Sequence, residues 1–239
     1  MKKILWMLAA FMMMGAASVT MTSCGDDDDD NSPSGGGNSS SDTHEYVDLG
    51  LPSGTLWATC NIGASSPEEY GDYFAWGETS GYNSGKTNFD WKTYKYCKGS
   101  YKTITKYCTS SDYGTVDNKT ELELSDDAAY VNWGSNWRIP NEAQFKELIN
   151  ESNTTITWAT HNDVKGWEIT SKSNENSIFL PAVGCRSEGT LYDEGSYGDY
   201  WSRTGGNSEA RSLDFDSPIK TRSFSRCNGQ TIRPVRASQ

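Results

Sequence analysis

From residue 44 onward the chain never runs far without a turn residue, and that punctuation limits what it can build. Short aromatic and β-branched runs are interrupted every few positions by Gly, Ser, Asn or Asp. Eight of the nine tryptophans and all thirteen tyrosines lie in this part. A core helix needs apolar residues at i, i+3 and i+4 over ten or so positions, and almost no stretch offers them. What the pattern fits is an irregular β-rich domain of short strands and many turns.

Individual segments can be read the same way. YVDLGLPSGTLWATCN predicts a hairpin, Tyr46 to Leu49 and Thr55 to Asn61 around a Pro52-Ser53-Gly54 turn. TITWATHNDVKGWEIT predicts a second, with His161-Asn162-Asp163 turning between Trp158 and Trp167, and NSIFLPAVG a further strand. One helix is well signalled in RIPNEAQFKELIN: Asn141 is the N-cap, Glu142 sits at the positive end, and Phe145, Leu148 and Ile149 share a face. A second helix is expected near Ser66-Pro67-Glu68-Glu69. Residues 79–127, polar and rich in Gly, Ser, Lys and Asp, read as long loops or an insertion.

The N-terminus has a composition of its own. Lys2 and Lys3 precede an apolar run, Ile4 to Met14, too short to span a bilayer, and all six methionines fall within residues 1–23. This is the plan of a secretory signal. MTSC, ending at Cys24, resembles the lipobox of bacterial lipoproteins, which implies lipidation of Cys24 after cleavage. Residues 24–43, with Asp26 to Asp30 followed by NSPSGGGNSSSD, have almost nothing apolar to bury and read as a disordered tether. A coil of about 20 residues spans roughly 25 Å. An acidic run just after the lipidated cysteine also resembles the surface-export signal of Bacteroidetes lipoproteins, implying the outer face of the outer membrane.

Charge and chemistry narrow the function. Residues 44–239 carry 26 acidic residues against 19 Lys and Arg, so duplex nucleic acid is not an expected partner. The segment Arg203 to Arg236 reverses this with seven basic residues and three acidic ones, either as a ligand surface or as charge balance. Only His44 and His161 exist, no Gly-rich phosphate loop follows a strand, and no His/Cys metal spacing occurs. Neither catalysis nor a cofactor is expected. With Cys24 set aside five cysteines remain, an odd number that leaves at least one thiol unpaired. Cys60 reads as a small buried hydrophobe, Cys97 and Cys108 as a plausible disulfide, and Cys185 and Cys227 as a further candidate pair.

Five ordered blocks carry a resemblance: EYVDLGLPSGTLWATCNIGASSPEEYGDYFAWGET, NWRIPNEAQFKEL, NSIFLPAVGCR, GSYGDYWSRT and GQTIRPV. Together they resemble the Fibrobacter succinogenes major paralogous domain, common in Bacteroidetes surface lipoproteins. The resemblance implies an α+β, C-type lectin-like domain over residues 44–239: irregular twisted β-hairpins, about two helices and long loops. It further implies a ligand surface near the C-terminal end. Ile139-Pro140-Asn141 lacks the accompanying Trp-Asn-Asp of calcium-dependent sugar-binding lectins. Cys185 and Cys227 lie too far apart in sequence for the paired cysteines of formylglycine-generating enzymes.

Variable proteins of diversity-generating retroelements share the fold. They diversify a C-terminal stretch at asparagine codons, yielding Arg, Ser, Asp, Phe, Cys, Thr or Gly but never Lys or Glu. The tail from Tyr200 to Val235 mixes such residues with apolar ones; Lys220 and Glu209 would be invariant spacers. The same tail reads as an ordinary polar strand face. Trp201, Leu213, Phe215 and Ile232 are expected in the core, Ser212 and Asp214 pointing outward, and Arg203, Arg211, Arg222, Phe224, Cys227 and Asn228 on the surface. These exposed residues form the expected ligand site for an extracellular protein or glycan. Two other functions stay open: an accessory or tip subunit of a surface fimbria, and an enzyme on the formylglycine-generating fold with Cys185 as its thiol.

Overall fold

A computed structural model describes residues 44–237; Cys24, the signal segment and the tether lie outside the described residues. The chain enters through the first expected hairpin, β1 (Tyr46–Asp48) with β2 (Thr55–Ala58). Gly54 closes the turn at φ +68°, its N–H donating to the Leu51 carbonyl at 2.8 Å. β2 is buried along its whole length because β11 (Val235–Ala237), from the far end of the chain, pairs on its other side.

Residues 59–127 form no strand, only isolated bridges and two single 3-10 turns. No helix forms at Ser66–Glu69. A lone turn bond joins Glu69 N–H to the Ser66 carbonyl, the Glu69 carboxylate folds back onto Ser65 N–H at 2.7 Å, and Gly71 at φ +73° redirects the chain. The segment is held by side chains instead. Asp126 accepts from Lys106 Nζ at 2.5 Å and Tyr107 Oη at 2.6 Å. Burial alone would raise its pKa; the hydrogen bonds from Lys106 and Tyr107 win and hold it at about 2.

Both helices follow this stretch. α1 (Ala128–Trp133) is capped by Asp127, whose carboxylate accepts from the Ala129 and Tyr130 N–H groups. α2 (Glu142–Leu148) starts where expected: Asn141 and Gln144 form a reciprocal capping box, and Phe145 and Leu148 are buried. The second hairpin is also as expected. β3 (Thr154–His161) and β4 (Val164–Ser171) turn through Asn162 and Asp163, both at positive φ as a two-residue turn of this hand requires.

β5 (Ser177–Pro181) extends that sheet in the order β3-β4-β5, and β6 (Cys185–Ser187) pairs with β7 (Thr190–Tyr192). The last sheet has β9 (Glu209–Asp214) between β8 (Asp199–Gly206) and β10 (Lys220–Ser225). With two short helices and eleven antiparallel strands, the described chain is α+β.

The core is indole-rich, with Trp57, Trp76, Trp137 and Trp201 each at most 1% exposed. Trp76 and Trp201 also cross-link: Trp76 Nε1 donates to the Ser202 carbonyl at 2.8 Å and Trp201 Nε1 to the Phe74 carbonyl at 2.7 Å. Thus irregular residues 73–78 are pinned to β8. Trp201, Leu213, Phe215 and Ile232 are all core, as the sequence suggests.

The cysteines depart from expectation. Cys60, Cys97, Cys108, Cys185 and Cys227 are all free, and Cys60 is half-buried rather than in the core. Cys97 and Cys108 donate to the Trp91 and Ser110 carbonyls, at 2.9 and 3.1 Å, instead of bonding to each other.

Candidate functional site

The register of the last sheet places most of the expected ligand residues. Ser212 lies opposite Arg222 and Arg211 opposite Ser223. Successive strand residues alternate faces, so Arg211 and Arg222 point to opposite sides of the sheet. On one side Arg211 Nε is 3.5 Å from Glu142 Oε1 of α2, to which Thr221 Oγ1 also donates at 3.2 Å. On the other, Arg222 clamps two carboxylates, with Nε 2.9 Å from Asp214 Oδ2 and Nη2 2.5 Å from Asp216 Oδ2. Phe224 shares that second side but is half-buried against the core.

Three of the expected surface residues belong to the interior. Ser212 and Asp214 are fully buried and Cys227 is 4% exposed. Alternation failed as a guide because the sheet is covered on both faces, by α2 on one and by loop residues around Phe74 and Gln230 on the other. Ser212 Oγ reaches the Tyr200 carbonyl at 2.9 Å and Gln230 Oε1 at 2.5 Å. Asp214 accepts from Tyr197 Oη at 2.6 Å and from Asp216 N–H at 2.9 Å. Asn228 is half-buried.

The basic tail is likewise partly internal. Arg226 and Arg233 are fully buried and satisfy backbone carbonyls. Arg226 Nη1 and Nη2 donate to the carbonyls of Asn207 (2.6 Å) and Lys106 (3.1 Å), Nε to Tyr94 Oη (2.8 Å), and its guanidinium lies 4.6 Å from the Trp76 ring. Arg233 donates to Asn61 Oδ1 and to the Thr59 and Phe179 carbonyls at 2.8 to 2.9 Å. These two guanidiniums replace secondary structure as carbonyl partners in a loop-rich domain.

One expected ligand residue, Arg203, lies apart from Arg211, Arg222, Phe224 and Asn228, at a cavity that none of those four lines. Arg203 lines an open cavity of about 770 Å³ together with Arg138, Arg236, Asn141, Gln144, Glu147, Ser53 and Thr55. The backbone builds it: Arg203 N–H donates to the Pro140 carbonyl at 2.8 Å, and Arg138 and Val235 exchange two backbone bonds of 2.9 Å. That joins β8, the lead-in to α2 and β11. Glu147 is engaged by the Ser53 N–H at 2.8 Å and the Ser53 hydroxyl at 2.5 Å.

The guanidiniums are braced by aromatic rings or acceptors. Arg138 lies 4.5 Å from the Tyr130 ring, and Arg236 lies 4.8 Å from Tyr46 and 5.6 Å from Trp137. Arg203 Nε is 3.2 Å from Glu121 Oε2 and its Nη1 donates to the Ile139 carbonyl at 3.1 Å. Arg138 spends Nη1 on the Ser135 and Trp137 carbonyls. N–H groups of Arg138 and Arg203 therefore remain to meet a ligand oxygen. Such an arrangement suits a carboxylate, sulfate or phosphate group.

Of these residues, the sequence reading named Arg203 as a ligand residue and counted Arg236 in the basic segment, but gave Arg138, Ser53 and Glu147 no ligand role. Their positions are scattered along the chain, and of those three only Ser53 was marked, by the Pro-Ser-Gly turn. Among the described residues, no group of three His, Cys, Asp or Glu side chains could hold a metal ion.

The chain matches no family model, no curated protein and no solved structure.

Proposed function

We propose that the chain is a lipid-anchored surface protein of C-type lectin-like architecture that binds an extracellular protein or glycan. The ligand presents an acidic group to the groove of Arg138, Arg203 and Arg236, and Cys24 carries the lipid. The carrying observation is that three arginines, from three separate segments, line one open cavity, Arg138 and Arg203 half-buried there and Arg236 buried behind them. Two of them are C-terminal, in keeping with the ligand surface the family resemblance implies. Diversification by a retroelement would act on the exposed part of the tail, Arg222 and its neighbours, rather than on buried Ser212, Asp214 and Cys227.

Screening the mature protein against arrayed extracellular proteins and acidic glycans, then titrating the best binder, tests the reading. Arg138→Ala and Arg203→Ala should each weaken binding about tenfold or more. Undiminished affinity in both would move the site elsewhere. Cys24→Ala should release the protein from membranes, and a variant that stays membrane-bound would remove the anchor from the account.

The fimbrial reading is favoured by one observation. β3, TTITWATH, is an outer strand of eight residues with no charge, Pro or Gly. Among the described residues, the backbone of Thr155–Thr160 makes no hydrogen bonds beyond its ladder with β4. An edge of this kind is a template for strand addition. Co-isolation with polymer, lost in Thr157→Lys, would support it; recovery only as free monomer would count against it. Enzymatic use of Cys185 draws no support from its surroundings, because burial and then Asp199 raise the thiol far above the range where a thiolate forms.

A further inference from the structure

Residues 91–107, WKTYKYCKGSYKTITKY, contain five lysines and no Asp or Glu. Elsewhere in residues 44–239 there are 26 acidic residues and 14 basic ones. This segment is thus a positive island in an acidic domain. It folds into an irregular hairpin in which Thr105 N–H donates to the Tyr96 carbonyl at 2.9 Å and Lys98 N–H to the Thr103 carbonyl at 3.2 Å.

Folding sorts the two residue types. Tyr94, Tyr96, Ile104 and Tyr107 are buried, while Lys92, Lys95, Lys98 and Lys102 are exposed. Two lysines are committed: Lys106 pairs with Glu123 and Asp126, and Lys95 Nζ lies 3.6 Å from Asp126. Lys98 and Lys102 make no ion pair among the described residues, and Lys92 has only the field of neighbouring Asp90. Between them stands Tyr101, 45% exposed, its ring 6.4 Å from that of half-buried Trp91 and 5.7 Å from Lys102 Nζ.

We propose that Trp91, Lys92, Lys98, Tyr101 and Lys102 form a second binding surface, one for an acidic polysaccharide bearing uronate or sulfate groups. The aromatic faces take the C–H face of a pyranose ring, and the ammonium groups meet its carboxylate or sulfate oxygens. Single-stranded nucleic acid fits less well. It needs a basic groove that follows the backbone over several nucleotides, whereas three uncommitted lysines are soon succeeded by acidic surface. The surface is separate from the arginine groove, with which it shares no residue.

The test titrates the mature protein with size-defined heparin and polygalacturonate oligosaccharides, neutral dextran and oligo-dT. Binding is expected to one or both acidic oligosaccharides, weakening as salt rises, and not to dextran. Lys98→Glu with Lys102→Glu should lower affinity about tenfold or more, whereas the same charge reversal at Lys165 on β4, Lys165→Glu, should leave it unchanged. Tyr101→Ala should weaken binding while the salt dependence persists. Because all these side chains are exposed, an unchanged thermal transition confirms folded variants.

Three outcomes would overturn the proposal: no binding to either acidic oligosaccharide, tighter binding to oligo-dT, or full affinity in the double lysine variant. A loss in Arg138→Ala without one in the lysine variant would assign the polymer to the groove and overturn it equally.

Discussion

Asp199 and Asp214 face each other across β8 and β9, and both are essentially inaccessible to water. Two carboxylates so placed cannot share the same fate. Asp214 has Tyr197 Oη and Arg222 Nε as partners, whereas Asp199 Oδ1 has none. Burial first, and then the charge of Asp214, push Asp199 up to about 8, against the smaller opposing pulls of Tyr197, Arg222 and Cys185. The folded state therefore keeps a proton that the unfolded state has lost between pH 4 and 8. Stability should fall across that window at up to about 1.4 kcal/mol per pH unit, then level off above pH 8. Urea denaturation at several pH values measures this. Asp199→Asn, which cannot ionise, should flatten the profile and be the more stable protein at pH 8; an unchanged slope would assign the dependence to other groups. Arg226 is the complementary case, a cation whose burial is matched by acceptors. Arg226→Met should cost about 3 kcal/mol or more by leaving the carbonyls of residues 106 and 207 without donors. Nothing in the letters SFSRCNG separates a guanidinium that reaches water from one that caps buried carbonyls, and for that reason the basic segment read equally as a ligand surface or as charge balance.

At the scale of elements, what could be read from the sequence was what is locally determined. The β3–β4 turn needs two residues tolerant of positive φ, and Asn162-Asp163 supplies them in the sequence itself. The start of α2 is equally local, since Asn141 and Gln144 satisfy each other's backbone N–H groups. Asn141→Ala should cost about 1 kcal/mol, read as a lowered urea midpoint at unchanged m-value. A loss well beyond that would mean Asn141 also supports the groove it lines. By contrast, α1 has only six residues, too few to show a period, and its cap Asp127 sits in an acidic run that reads as solvated. The helix expected at Ser66–Glu69 had composition in its favour but no room before Gly71. In β9 the alternation rule broke because a strand covered on both faces can bury Ser212, Leu213 and Asp214 in succession.

For the whole molecule, closure is the property no local pattern reveals. Arg138, Arg203 and Arg236 meet only because β11 returns to pair with β2, and because Arg138 and Val235 exchange backbone bonds beside α2. The candidate groove is thus a consequence of chain closure, and its members could not be picked out from spacing. The same contacts make the C-terminal segment a stabilising element rather than a tail. Ile232 is core, Arg233 satisfies carbonyls in β2, in the residue after it and in β5, and Val235 is buried against β2. Removing them uncovers one edge of β2, a strand buried at all four positions, and leaves three carbonyls without their donor. Lost burial of Ile232 and Val235, at roughly 2 kcal/mol each, adds to the unsatisfied carbonyls and approaches the whole stability of an ordinary domain. A chain ending at Thr231 should therefore lose its cooperative thermal transition and its near-ultraviolet dichroism, not merely its ligand. If it instead melts cooperatively near the full-length temperature, β2 has found other cover and closure is not what assembles the groove. Conversely, restoring residues 232–239 as a separate peptide should recover the transition, since the slot it fills is defined by backbone pairing with β2 on one side and Arg138 on the other.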